Sequence, residues 1–227
     1  MSQTNVYPIH CPQCKAQQDE VLYDSLEVNS EPELRKRLLE NKINRVNCAS
    51  CGFDFVVDKQ LLYHDGEGGW MIYLSPNPPE QAKQAEEEFA AVLKDLRAMA
   101  PNDSNFPEVD LVLSRIEMVE RIFVREANLN PRVIEYVKYL IYTQNLDQFM
   151  PETHALLING QECTEEQLCF VVQDVASKKL ESLLHYKRES YEDLLELWVQ
   201  DGELSLMHQL FPGPYLSARG YLIQDEV

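Results

Sequence analysis

Apolar and polar positions follow two rhythms along this chain, separated by clusters of proline, glycine and asparagine. Residues 20–29 (EVLYDSLEVN) are rich in β-forming types and predict a strand. Ser30-Glu31-Pro32-Glu33 has the form of a capping box with proline in the first helical turn, and Leu34, Leu38 and Leu39 follow at helical spacing. Short strands are predicted over 44–47, 53–57 and 61–64, and 70–74 returns as a hairpin after the turn Asp65–Gly69. That glycine cluster is followed by a strand, so it is not a phosphate-cradling loop. Ser75-Pro76-Asn77-Pro78-Pro79 can continue neither sheet nor helix and is the clearest boundary in the chain.

Beyond it, Ala82, Ala85, Phe89, Val92, Leu93, Leu96 and Met99 make the apolar stripe of a helix over about 80–100, broken by residues 101–107. A strand is expected at 109–113. Ser114 and Glu117 then form a second capping box for a helix with Ile116, Val119, Ile122 and Phe123. Asn128–Pro131 turns into a further helix carrying Val133, Ile134, Val137, Leu140 and Ile141, and 155–158 reads as a strand. Residues 164–186 fit two patterns. Thr164 and Gln167 could cap a helix with Leu168, Val171, Val172 and Val175 on one face, whereas LCFVV at 168–172 favours a strand with 180–186 as its hairpin partner. The hairpin is preferred. A helix is expected over 191–200 and an irregular tail from Phe211 onward.

Against this background two cysteine pairs stand out, Cys11-Pro12-Gln13-Cys14 and Cys48-Ala49-Ser50-Cys51-Gly52. A CxxC turn lets two sulfurs reach one metal, and two such turns complete a tetrahedron of four thiolates, the closed environment of structural zinc. Gly52 suits a turn that needs positive φ. Lys15, in the matching place, gives no backbone help but brings a cation to a site of net negative charge. The gap of 33 residues between the pairs exceeds the commonest four-cysteine spacing, and the strand and helix expected at 20–41 fill the difference. A thiol-redox pair or unrelated thiols are the alternatives. A redox CxxC prefers the start of a helix, where the dipole lowers the thiol pKa, and neither pair precedes an obvious one. Cys163 and Cys169 are expected to be small buried hydrophobes. His10 and His64 could sit near the zinc, but four thiolates already fill its shell.

The run Ile9-His10-Cys11-Pro12-Gln13-Cys14, then strand and short helix, then Val46-Asn47-Cys48-Ala49-Ser50-Cys51-Gly52-Phe53 and a hairpin, resembles the CpXC domain, a bacterial and archaeal family named for two CPxC-type motifs. The likeness covers roughly residues 8–125, most closely up to Pro79, and Arg121-Ile122-Phe123 is similar to a segment common in such proteins. It implies zinc ligation by Cys11, Cys14, Cys48 and Cys51 and supplies no activity. One departure is Ala49, where the motif expects proline. The whole reads as α+β: an elaborated zinc ribbon over 1–79, an amphipathic helix and linker over 80–108, and an acidic domain of helices and a small antiparallel sheet over 109–227.

Charge and the missing motifs narrow the function. The chain of 227 residues carries 38 acidic against 20 basic side chains, a formal charge of −18. Residues 1–79 hold −4 of it and residues 80–227 hold −14, so neither part offers the cations that displace counterions from nucleic acid. Arg35-Lys36-Arg37 with Lys42 and Arg45 is the one basic cluster. No signal peptide or membrane-spanning run is visible, and a cytoplasmic location is expected. There is no GxSxG, Walker loop or GxGxxG before a helix, and no catalytic residue is assigned. The leading expectation is a non-enzymatic zinc-binding module that meets a protein partner or its own copy, with no nucleic acid and no membrane. A nucleic-acid or transcription-associated zinc ribbon is the first alternative, and an enzyme with a site of scattered residues the second.

Overall fold

The computed structural model describes residues 1–99 and 106–225 and is α+β. The expected break at 101–107 lies mostly outside these residues, as do the last residue of the helix expected over 80–100 and the Met99 side chain. The strands are β1 (Gln3–His10), β2 (Gln17–Glu27), β3 (Arg45–Asn47), β4 (Asp54–Val56), β5 (Leu61–Asp65), β6 (Trp70–Leu74), β7 (Glu108–Val112), β8 (His154–Ile158), β9 (Gln167–Asp174) and β10 (Leu180–Lys187). The helices are α1 (Pro32–Leu39), α2 (Ala82–Met99), α3 (Arg115–Glu126), α4 (Pro131–Gln144), α5 (Arg188–Asp201), α6 (Leu206–Leu210) and α7 (Ala218–Asp225).

The chain divides into two compact units, residues 1–76 with 89–119 and residues 77–88 with 120–227. The proline-rich stretch is therefore a crossing that is later reversed. Strand β7, expected to open the second domain, pairs in parallel with β6 from Trp70↔Glu108 to Leu74↔Val112. The physical reason is the pattern of β6: Trp70, Ile72, Tyr73 and Leu74 are all buried, which requires neighbours on both faces and a partner beyond the β5–β6 hairpin.

In the first unit the sheet order is β1-β2-β5-β6-β7. β1 was not expected from sequence. Its residues are mostly exposed and show no apolar alternation, and it is held by antiparallel pairing to β2 from Thr4↔Tyr23 to His10↔Gln17. β2 continues past β1 to pair in parallel with β5. The excursion between β2 and β5 carries α1 and the small β3–β4 hairpin. Glu31 is the N-cap of α1 and gives no side-chain cap, contrary to the expected capping box, and the Ser30 hydroxyl instead turns back and donates to the Glu27 carbonyl. The β1–β2 ribbon and the β3–β4 hairpin share a small core of Ile9, Leu22 and Val46, with Tyr7, Phe55 and Val57 against it.

In the second unit 168–172 is strand, and β10-β9-β8 form an antiparallel sheet. Thr164 takes the N–H groups of Glu166 and Gln167 on its hydroxyl and so closes the turn into β9 rather than opening a helix. Alternate residues Leu168, Phe170 and Val172 enter a large core with Val133, Ile134, Val137 and Tyr142 of α4. The helix expected after the Asn128–Pro131 turn is α4, and Asn130 caps it, accepting from the N–H groups of Arg132 and Val133. Buried in this unit, Lys138 Nζ lies 2.7 Å from Glu120 Oε2 and 2.8 Å from Glu135 Oε1. The other oxygens accept from Ile158 N and Ala218 N, so one ammonium and two backbone N–H groups between them serve all four carboxylate oxygens. The tail is not wholly irregular, since Ala218–Asp225 forms α7.

Candidate metal centre

Both cysteine pairs fold into the same hairpin knuckle. In the first, Lys15 N donates to Cys11 O at 2.9 Å and Cys11 N to Ala16 O at 2.9 Å. In the second, Gly52 N donates to Cys48 O at 2.8 Å and Cys48 N to Phe53 O at 2.8 Å. The residue after each pair takes left-handed backbone, φ 71° at Gly52 and 63° at Lys15. Lys15 thus does the backbone work that sequence alone assigned only to glycine, and its ammonium donates to the Pro12 carbonyl.

The two knuckles face each other with approximate two-fold symmetry. The first cysteine of each is buried and the second exposed. Cys11 Sγ lies 3.7 Å from Cys51 Sγ, and Cys14 Sγ lies 3.6 Å from Cys48 Sγ. All four sulfurs fall within 4.8 Å of one another. Sulfurs about 2.3 Å from a tetrahedral ion are about 3.8 Å apart along each edge, whereas a disulfide needs about 2.05 Å. The cluster therefore has the dimensions of a four-thiolate metal site and could hold one ion. Neither His10 nor His64 joins it. His10 is exposed, and His64 Nδ1 pairs with Glu27 Oε2 at 2.5 Å.

Cys11 and Cys51 are shifted in opposite directions. Burial raises the pKa of Cys11, but the N–H groups of Cys14 and Gln13 and the thiols of Cys48 and Cys14 outweigh it and bring it down to about 6. At Cys51 the Phe53 N–H lowers the pKa, while burial and hydrogen bonds with Cys14, Cys48 and Cys11 push it up to about 12. Four thiols this close cannot all ionise unless a cation sits among them.

One residue that sequence reasoning missed fastens the knuckles to the sheet. Gln18, at the start of β2, accepts from Ala49 N at 3.0 Å and donates to Asn47 O at 3.2 Å. Proline at position 49 would have no N–H to give, so the departure from the CPxC pattern supplies a hydrogen bond. The only sequence signal for Gln18 was its place four residues after Cys14. Asn47 Nδ2 closes the same region by donating to Gly52 O. Cys163 and Cys169 belong to the second unit. Cys169 is buried in β9, and its N–H points at the Cys163 sulfur at 3.2 Å.

The CpXC protein family model matches residues 9–138, more than half of the chain. The chain belongs to the CpXC family. The match runs further than the sequence likeness suggested, through β7 and α3 and into α4. Comparison with curated proteins and with solved structures gave no match.

Proposed function

We propose that this CpXC protein is a non-enzymatic interaction module whose ribbon is held by one structural Zn²⁺ on Cys11, Cys14, Cys48 and Cys51. The observation that carries the reading is the pair of equivalent knuckles presenting four sulfurs at tetrahedral spacing. A closed set of four thiolates suits an ion without redox chemistry or geometric preference, and it leaves no open position for substrate or activated water. When bound, the zinc supplies a fixed cross-link between two loops that the sequence places 33 residues apart.

The basic cluster supports a protein partner over nucleic acid. Arg37 lies over the Tyr23 ring and donates to its hydroxyl, Lys42 pairs with Glu40, and Arg45 pairs with Asp54. These cations are engaged within the chain, and the net charge of −18 opposes phosphate. No helix among the described residues is long and apolar enough to cross a membrane, and a cytoplasmic site, where thiols stay reduced and free for metal, fits the six free cysteines.

Metal analysis of protein purified without added zinc tests the reading: about one zinc per chain is expected, and cobalt substitution should give strong thiolate charge transfer. Iron in its place, with visible colour as isolated, would replace zinc. Sub-micromolar nucleic-acid binding at about 0.15 M salt, lost on changing Arg35 and Arg37 to Glu, would favour the nucleic-acid ribbon instead.

A further inference from the structure

The two outer edges of the β8–β10 sheet are finished differently. At β8 the outward backbone groups are occupied by side chains of the same unit. Leu156 N donates to Tyr142 Oη and Tyr142 Oη donates to His154 O, both at 3.0 Å, and Ile158 N donates to Glu120 Oε1 at 2.6 Å. β10 has no such cover among the described residues. It pairs with β9 on one side, is exposed or half-buried along its whole length, and receives no hydrogen bond on its backbone from the other side. An open edge is a row of unpaired N–H and C=O groups, which chains that stay single blunt with devices such as proline. β1, the outer strand of the first sheet, carries Pro8, and β10 carries no proline.

The register of β10 says what fits this edge. From Ser182↔Val172 to Lys187↔Gln167 it runs without interruption. Leu183 lies across from Val171, and Val171 across from Leu157, so the three make one apolar row on the face turned away from the large core. The row ends at the open edge, where Leu183 is 53% exposed. Turned about a two-fold axis at Leu184, the edge is complementary to itself. Leu184 then opposes Leu184, Leu183 opposes His185, and at each end Glu181 opposes Lys187 of the partner subunit. Opposite charges facing one another across strands are favourable and like charges are not. Glu181 has no partner on β9 because of the register shift between Leu180 and Ser182, and its half-exposed carboxylate lies 3.2 Å from His154 Nε2. Lys187 has no ion pair among the described residues.

Resting on the reading of the chain as an interaction module, we propose that β10 pairs with β10 of a second copy, antiparallel about Leu184, and joins two three-stranded sheets into one. Leu183 of each copy then extends the apolar row of the other. The pairing uses the same open edge on both copies and the β8 edge is already occupied, so assembly through this sheet closes at two chains.

Light scattering on the full zinc-loaded chain between about 1 and 100 µM tests this. The mass should rise from one chain to two, with amide exchange over residues 182–187 slowing in step. Glu181→Lys and Lys187→Glu should each weaken the dimer about tenfold or more, since each sets like charges against one another twice per dimer. Mixing the two variants should restore it, because every altered charge then meets its opposite. Loss of the His154 contact or of folding would not be repaired by mixing. A chain that stays single at the highest concentration overturns the proposal. So does a dimer that ignores both reversals, or one that mixing fails to restore. Zinc content is read on the same samples. A single chain holding one zinc loses this edge alone, whereas a chain without metal, whatever its mass, loses the reading beneath it.

Discussion

The four-cysteine end of the first unit and the interior of the second differ in what they offer to hold them together. The small core beside the knuckles is Ile9, Leu22 and Val46, with Tyr7, Phe55 and Val57 packed against it, and the loops it must hold carry the four cysteines. The second unit gathers seventeen buried residues from α3, α4, β8, β9, α5 and its C-terminal segment, and even buries a paired lysine. Burying one large aliphatic side chain is worth about 1.5–3 kcal/mol, so three such residues do not offset the ordering of two loops and a ribbon. A core of seventeen can. On the proposed reading one end is specified by coordination chemistry and the other by packing, and their sensitivities should separate accordingly.

The largest separation should come from metal loss. Changing Cys48 and Cys51 to Ser should abolish zinc binding and remove an apparent stabilisation of order 10–16 kcal/mol from the knuckles. Hydrogen exchange should then show amides of 11–16 and 48–53 unprotected while β8–β10 stay protected. Equal loss in both regions would erase the comparison. The reverse experiment is Lys138→Met, which leaves Glu120 and Glu135 buried without their cation. It should cost about 3–5 kcal/mol in the second unit, read by denaturant melts, and leave zinc content at one.

Acidity sharpens the second half of that contrast. Proximity to Glu120 and Glu135 outweighs burial and holds the Lys138 pKa above its ordinary 10.5. A raised folded-state pKa contributes stability that is complete below 10.5 and is lost as pH rises past it. The second unit should therefore weaken in strong alkali, and Lys138→Met should flatten that decline in melting temperature against pH.

Smaller effects probe the knuckle frame. Gln18→Ala removes the bonds to Ala49 N and Asn47 O and should cost about 1 kcal/mol of stability in the zinc-bound protein. Gly52→Ala should also cost about 1 kcal/mol, since no atom obstructs a Cβ there and only the left-handed backbone opposes it. Lys15→Gly should change stability least, by about 0.5 kcal/mol or less, because relief of the same backbone strain is offset by the greater freedom of glycine in the unfolded chain. Thermal shifts of the zinc-loaded variants would rank the three.

What could be read from sequence was what is local. The CxxC turns, the Asn128–Pro131 turn into α4, the β5–β6 hairpin and the β9–β10 pair each depend on residues close together in the chain. β1 escaped because a strand paired only on one side, with residues such as Val6 left exposed, shows no alternation. The partnership of β6 with β7 escaped because it spans an intervening helix, and the prolines at 76–79 signal only that regular structure stops, not where the chain returns. Gln18 escaped because a side-chain to backbone staple has no pattern. α7 escaped because Pro212, Gly213 and Pro214 crowd its approach, Gly220 sits inside it, and it shows no clear apolar face.

The late pairing of β7 sets a schedule on the ribosome. The knuckles and β6 are complete once residue 74 has emerged, but the strand that finishes their sheet begins at residue 108. At about 5–20 residues per second the nascent chain waits about 2–7 s with β6 as an open edge. Four of the five residues of that strand are buried in the finished protein. The only sequence made during the wait is the linker, α2 and the approach to β7, and Phe89 of α2 packs on Tyr73 with ring centres 5.6 Å apart. α2 is thus the first shield that synthesis supplies to β6, and slowing translation between residues 74 and 108 prolongs the exposure of the most aggregation-prone strand of the first sheet.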